Sequence, residues 1–126
     1  MQRLVIDLDG TITEDDPAVS YPDKKPNLAV IEQIRRYKAM GFGIIIHSAR
    51  NMRTYEGSIG KITAFTLPVI VEWLRRHDVP YDEIYIGKPW CGTEGFYVDD
   101  RAIRPDEFVR LNLEQIHGLI GRTSAP

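Results

Sequence analysis

The sequence contains one cysteine, Cys91, among 126 residues. A single thiol excludes an intrachain disulfide and a metal site built from several cysteines, and it suits a reducing compartment. No apolar run approaches the roughly 20 residues of a membrane-spanning helix. Met1-Gln2-Arg3 leads directly into an apolar run, which leaves no room for a signal peptide. We therefore expect a cytoplasmic protein.

An excess of charge of either sign is also lacking, because 16 basic and 18 acidic side chains leave a net charge of −2. Without a basic field, the charge does not favour nucleic acid as a partner. Internal repeats and low-complexity tracts are missing as well. The length suits one domain with a single core over residues 1–126, ending in a frayed tail over 121–126.

Apolar runs alternate with helical patterns along the chain, which predicts an α/β fold with a mainly parallel sheet and helices on both faces. Four strands are predicted, at Arg3–Asp7, Gly43–Ser48, Glu83–Ile86 and Gly95–Val98. Three helices are predicted: one capped by Asn27, with Leu28, Ile31, Ile34 and Tyr37 on one face; one from about Pro68 to about Asp78; and one over roughly Asp106 to Leu119. Residues 12–26 hold too many Pro and Asp for a helix and are expected to form a flap.

Each predicted strand is followed by chemically distinctive residues. The first ends in Asp7-Leu8-Asp9-Gly10-Thr11, the second in Ser48, the third in Gly87-Lys88-Pro89 and the fourth in Asp99-Asp100. The carboxyl ends of parallel strands meet at one edge, where such folds bind ligands. Two carboxylates at a strand end repel one another and are poorly solvated, so they need a cation between them or work as acid and nucleophile. Taken alone, each motif also fits a solvated turn.

Taken in order, these motifs resemble the haloacid dehalogenase (HAD) superfamily of phosphotransferases. That family is marked by D-x-D-G-T/V after the first strand, Ser or Thr after the second, a Lys, and an acidic pair after the fourth. The runs Ile44–Arg50, Gly87–Pro89 and Tyr97–Asp100 also resemble small phosphatase-like members associated with capsule and lipopolysaccharide sugar pathways. The resemblance implies a three-layer Rossmann-like core. It would be of the capless type, because the gaps at 12–26 and 49–83 have no room for a cap domain.

The resemblance and the demands of phosphoryl transfer together suggest roles for the acids. Asp7 would be the nucleophile that forms an aspartyl-phosphate, and Asp9 the general acid and base. Mg²⁺ would be held by Asp7, by the backbone carbonyl of Asp9 and by Asp99. Asp100 would join through a water molecule or brace Lys88.

Phosphate contacts are expected from the other motif residues. Lys88 would balance the carboxylates and touch phosphoryl oxygens, and Ser48 would hydrogen-bond one of them. Gly10 would let backbone amides near Leu8 and Asp9 approach the phosphate. The remaining candidate substrate-binding residues are Thr11, Ala49, Arg50 and Arg53. The two arginines suit a second anionic group on the substrate, or equally a solvated loop.

These expectations point to a Mg²⁺-dependent phosphatase for a phosphorylated sugar or sugar acid in surface-polysaccharide biosynthesis. Two alternatives remain: a nucleotide or polynucleotide-end phosphatase, and a non-catalytic phosphate-binding protein with the same fold. Capless members act on large substrates or use a neighbouring subunit to close the site, so a homo-oligomer is also expected. His47 and Trp73 are expected to be structural.

Overall fold

A computed structural model describes residues 2–121 of the chain. The chain divides into two compact units, Met1–Trp90 and Cys91–Pro126. Of the tail expected to fray, only Gly121 is among the described residues. Within the described part, no helix has the length and apolar character that crossing a membrane requires.

The first unit is built on a parallel sheet of three strands in the order β1-β2-β3. These are β1 (Arg3–Asp7), β2 (Gly43–Ser48) and β3 (Glu83–Ile86), and their sequence predictions are confirmed. The central strand β2 is apolar without alternation and is buried at every position except His47, as expected for a strand covered on both faces. The fold is therefore mixed α/β, with helices around a parallel sheet, as predicted.

Three helices belong to the first unit: α1 (Leu28–Ala39), α2 (Ile59–Lys61) and α3 (Leu67–Arg76). The Asn27 side chain accepts a hydrogen bond from the Val30 amide at 3.4 Å, so the predicted N-cap of α1 is confirmed. A π-helical segment, Ile62–Thr66, joins α2 directly to α3. Trp73 on α3 is 1% exposed and is structural, as predicted.

The predicted apolar face of α1 is wrong at one position, because Leu28 is 72% exposed. Residues three apart in a helix are offset by about 60°, so four of them at that spacing span half of the circumference. Leu28 therefore lies far from Tyr37 around the helix axis. Val30, which is fully buried, packs into the core beside Ile31 and Ile34 instead.

The prediction of a fourth strand at residues 95–98 is wrong, since this stretch of the second unit has no regular structure. Phe96, Tyr97 and Val98 are 78%, 49% and 88% exposed. A short apolar run forms a strand only where a neighbour completes its hydrogen-bond ladder.

The predicted C-terminal helix is two helices, α4 (Pro105–Arg110) and α5 (Leu113–Leu119). The backbone is extended at Leu111 and α5 starts afresh at Asn112. The Asn112 side chain accepts from the Gln115 amide at 2.8 Å, and the Gln115 side chain accepts from the Asn112 amide at 2.9 Å. This capping box is a helix-start signal in the middle of the predicted helix.

Candidate active site

Asp7 and Asp9 are held at the carboxyl end of β1 by a tight turn. Asp7 is the last residue of the strand and pairs in register with His47 of β2. The turn Leu8–Ile12 follows and is closed by a hydrogen bond from the Thr13 amide to the Leu8 carbonyl at 3.0 Å. Gly10 has a φ of +81°, a conformation that glycine adopts without the steric cost of a side chain.

The Asp7 carboxylate has two side-chain partners. Lys88 Nζ lies 3.4 Å from Asp7 Oδ1, and the Thr11 hydroxyl donates to Asp7 Oδ2 at 3.3 Å. Burial raises the pKa of Asp7 above its usual value, while the positive charges of Lys88 and His47 oppose the rise. Burial also lowers the pKa of His47, and Lys88 adds to that effect. Lys88 thus favours the ionised form of the carboxylate that the sequence predicts as nucleophile.

Lys88 reaches Asp7 because the turn after β3 is fixed to β2. The Lys88 amide donates to the Ser48 carbonyl at 3.1 Å. Gly87 has a φ of +84°, and a Cβ there would lie 2.5 Å from Ile59 Cδ1. The backbone conformation favours glycine at this position, and a side chain there would also displace the end of Ile59. The strand ends thus bring Asp7, Ser48 and Lys88 together, as the motif order predicts.

Ser48 organises the turn that leads away from β2. Its side-chain oxygen accepts from the Arg50 amide at 3.0 Å, and the residue is 2% exposed. A hydroxyl that accepts in this way still has its own hydrogen to donate. The predicted hydrogen bond to a phosphoryl oxygen is therefore compatible with the turn.

Arg50 makes a contact that the sequence did not predict. Its Nε lies 3.1 Å from Asp9 Oδ2 and its Nη2 lies 2.8 Å from Asp9 Oδ1, so the guanidinium binds the carboxylate through two parallel hydrogen bonds. The Arg50 side chain is 1% exposed, and its central carbon lies 4.1 Å from the Tyr21 ring centroid. Arg50 Nη1 is buried without a hydrogen-bond partner. The two atoms that face Asp9, Nε and Nη2, are thus already used in contacts within the protein.

The flap predicted at residues 12–26 is an ordered loop with paired ends. Thr13 and Pro26 form an antiparallel bridge, and the Glu14 amide donates to the Lys25 carbonyl at 2.8 Å. Trp73 Nε1 on α3 donates to the Lys24 carbonyl at 2.8 Å, which ties the flap to that helix.

A pocket of about 440 Å³ lies between the flap and the turn after β1. Most of its lining residues carry a polar side chain, and one of them is the predicted general acid, Asp9. The lining residues are Asp9, Gly10, Thr13, Glu14, Asp15, Pro17, Val19, Ser20, Tyr21 and Lys24. The pocket thus gives a bound molecule direct access to Asp9.

The remaining predicted site residues have separate placements. Ala49 is half-buried between Ser48 and Arg50, and Arg53 is exposed in the turn that follows. Asp99 and Asp100 are exposed residues of the second unit. Asp99 Oδ1 accepts from the Arg101 amide at 2.8 Å, the local pattern of an Asx turn.

The oxygen atoms beside the turn fit part of a magnesium site. Mg²⁺ prefers a few carboxylate and carbonyl oxygens and fills its other positions with water and phosphate. The Asp7 carboxylate, 34% exposed, and the Asp9 carbonyl match that chemistry. Over residues 2–121, however, no three His, Cys, Asp or Glu side chains are grouped closely enough to hold a metal ion.

Comparison with solved structures identifies a near relative. The chain is 56% identical to a Vibrio cholerae protein of known crystal structure, with a TM-score of 0.94 over 98% of this chain and 100% of that one. The chain therefore belongs to the same family as that protein. No family model and no curated protein matches it.

Two further structures are more distant. A chain of the Pnkp1/Rnl/Hen1 complex is 20% identical, with a TM-score of 0.52 over 86% of this chain and 34% of that one. At that identity the similarity concerns the fold alone. The D,D-heptose 1,7-bisphosphate phosphatase of B. bronchiseptica, complexed with magnesium and phosphate, is 15% identical, with a TM-score of 0.49 over 76% of this chain and 54% of that one.

Proposed function

We propose that this protein is a Mg²⁺-dependent phosphomonoester hydrolase that acts through an aspartyl-phosphate on Asp7. The observation that carries the proposal is the meeting of Asp7 with Lys88, 3.4 Å apart, beside an Asp9 that lines a pocket. A nucleophile, a balancing cation and a proton donor next to a cavity are the components that phosphoryl transfer requires.

The proposed reaction has two steps. An Asp7 carboxylate oxygen attacks phosphorus, and the bond from phosphorus to the ester oxygen breaks while Asp9 gives that oxygen a proton. Asp9, now ionised, then takes a proton from water as the water attacks the phosphorus of aspartyl-phosphate. The bond from Asp7 to phosphorus breaks, inorganic phosphate leaves, and both carboxyl groups return to their starting states.

Charge neutralisation in this proposal comes from the metal and from Lys88. Mg²⁺ would be bound by the Asp7 carboxylate, the Asp9 carbonyl and Asp99, with Asp100 contributing through water, and would neutralise the charge of the phosphoryl group. Lys88 would touch the phosphoryl oxygens. Ser48 and the backbone amides of the turns at Leu8–Thr11 and at Ala49 would donate hydrogen bonds to them.

The proposed substrate is a small phosphorylated sugar or sugar acid of surface-polysaccharide biosynthesis. What supports a small polar molecule is the size of the pocket, about 440 Å³, and the polar side chains among its lining residues. A nucleotide substrate would call for an aromatic side chain on which a base stacks. In the pocket the aromatic ring is Tyr21, and it already stacks against Arg50.

We also propose that a second copy of the chain closes the site. The side chains of Asp7 and Asp9 are 34% and 33% exposed, whereas phosphoryl transfer benefits from excluding water. Light scattering after size exclusion would measure the oligomeric state. A monomer at concentrations where the enzyme is fully active would contradict this part of the proposal.

The experiment that tests the function is phosphate release from phosphosugars, nucleotides and p-nitrophenyl phosphate, with Mg²⁺ or with EDTA. The variant Asp7→Asn keeps the side-chain size and removes the nucleophile. Asp78→Asn is its matched control, because Asp78 is an exposed residue with a φ of +56°, which Asn tolerates.

Metal-dependent release that is lost in Asp7→Asn and kept in Asp78→Asn would support the proposal. The preferred ester would then distinguish a sugar phosphatase from a nucleotide phosphatase. Absence of release from every ester by folded protein with Mg²⁺ would contradict the enzymatic function and favour a phosphate-binding role.

A further inference from the structure

We infer that the flap pocket selects an electrically neutral, hydroxyl-rich leaving group and disfavours esters that carry a second negative charge. The inference rests on the proposed function and narrows it, since a sugar phosphate fits and a phosphorylated sugar acid or a bisphosphate does not. It is argued from the charges that line the pocket and from the contacts those charges already make.

Carboxylates outnumber cations in the pocket lining. Asp9, Glu14 and Asp15 line it, against one ammonium group, that of Lys24. Glu14 and Asp15 are exposed and form no ion pair among the described residues. An anion in the pocket would be repelled by these charges, whereas sugar hydroxyls can donate hydrogen bonds to carboxylate oxygens.

The cations near the pocket are already engaged. Lys24 Nζ donates to the backbone carbonyl of Asp16 and lies 5.8 Å from the Tyr21 ring centroid. The Arg50 guanidinium lies against the same Tyr21 ring, and its charge is paired with that of Asp9. Arg50 does not line the pocket, and its remaining donor atom, Nη1, is buried, so the guanidinium is not placed to bind a second anionic group there. Lys24 is therefore the one cation in the lining that could face such a group, and the carboxylates of the lining outnumber it.

The test compares pairs of esters that differ in one anionic group. Glucose 6-phosphate is paired with 6-phosphogluconate, and fructose 6-phosphate with fructose 1,6-bisphosphate. We expect kcat/KM at low ionic strength to favour the member of each pair whose leaving group is neutral by about tenfold, the effect of a like charge at close range. p-Nitrophenyl phosphate measures the rate of phosphoryl transfer with a leaving group that has no sugar hydroxyls.

The variant is the double substitution Glu14→Gln and Asp15→Asn, which removes two charges and keeps the size of both side chains. Both residues are exposed, so the fold should tolerate the change. We expect the kcat/KM preference for esters with a neutral leaving group to shrink to about threefold or less. The matched control is Glu32→Gln with Asp78→Asn, which removes two exposed charges elsewhere and should leave the preference unchanged.

Two kinetic results would overturn the inference. One is a wild-type kcat/KM that is equal or higher for the esters whose leaving group is charged. The other is a preference that the double variant leaves unchanged. If no ester is hydrolysed, p-nitrophenyl phosphate included, the proposed function itself fails. The inference is then decided by titrating the same ester pairs into ¹⁵N-labelled protein. Changes in the chemical shifts of the Val19 and Tyr21 amides with only those esters whose leaving group is neutral would support it. Shifts with both members, or with neither, would overturn it.

Discussion

Arg50 binds Asp9 through two parallel hydrogen bonds, at 3.1 and 2.8 Å, and the Arg50 side chain is 1% exposed. In each bond the arginine donates and a carboxylate oxygen accepts, so a proton on Asp9 would occupy one of the two accepting oxygens. Each of these oxygens has a second lone pair, so an Asp9 that acts as general acid can carry its proton on the side away from the guanidinium. Arg50 sets the direction in which the carboxylate points while it does so.

Replacing Arg50 by lysine is expected to lower kcat by about 10- to 100-fold, because a misplaced catalytic group is costly even when the charge remains. KM should change less, since the proposed contacts to the substrate phosphate come from Lys88 and Ser48. The measurement is steady-state kinetics on the best ester of the panel, with circular dichroism to verify folding. Arg75→Lys, a change at an exposed arginine paired with Glu72, is the matched control. An unchanged kcat in Arg50→Lys would mean that Arg50 does not position Asp9.

Tyr21 is expected to support Arg50 through the face of its ring. A guanidinium 4.1 Å from the ring centroid gains about 0.5–2 kcal/mol from the contact. Tyr21→Phe should keep kcat near the wild-type value, whereas Tyr21→Leu should lower it by about 3- to 30-fold. Tyr85→Leu, at a ring that is 56% exposed on β3, controls for loss of an aromatic residue. Equal effects of Phe and Leu at position 21 would point to the hydroxyl instead of the ring.

The strand ends could be predicted from sequence because each strand is an apolar run that stops at a polar residue. Parallel strands bring such stops to one edge, and so Asp7, Ser48 and Lys88 meet as expected. The partner of Arg50 could not be predicted in this way. It depends on a turn conformation set by the hydrogen bond from the Arg50 amide to Ser48, which no periodicity encodes.

The contacts of the flap could not be predicted from the sequence either. Its proline and aspartate content excludes a helix, yet nothing in that composition indicates that Tyr21 would stack on Arg50. The fourth predicted strand fails for a related reason: apolar residues at 96–98 describe what a segment could bury, whereas a strand also needs a neighbour that pairs with it. The predicted roles of Asp99 and Asp100 in metal binding stay predictions.

Trp73 is expected to anchor the flap through its indole N–H. Trp73→Phe removes the donor and leaves the Lys24 carbonyl without its partner, which should cost about 1–3 kcal/mol of unfolding free energy. Trypsin should then cleave faster after Lys24, since the bond after Lys25 leads into Pro26 and is resistant to trypsin. Urea denaturation and timed proteolysis measure the two effects. Trp90→Phe, at a side chain that is 49% exposed, should change neither. Flap cleavage at the wild-type rate in Trp73→Phe would argue that other contacts hold the loop.

Asp82 should make the stability of the protein depend on acid pH. Its carboxylate accepts from Lys38 Nζ at 2.6 Å and from the Ile44 amide at 2.7 Å, and these two hydrogen bonds hold its pKa below the usual 3.8. A carboxyl group whose pKa is lowered by folding binds its proton more readily when unfolded. Its stabilising contribution is therefore complete above the unfolded pKa, near 4, and is lost as the pH falls through the lower folded value.

Asp82→Asn removes this titration while its side-chain oxygen can still accept from Ile44. Urea unfolding at pH 7 should show the variant less stable than the wild type, and the difference should shrink at pH 3, where the wild-type carboxyl group has begun to take up its proton. Asp78→Asn, which removes a 98% exposed carboxylate, should show no such convergence. A stability difference that is the same at both pH values would mean that ionisation of Asp82 contributes nothing to the stability of the fold.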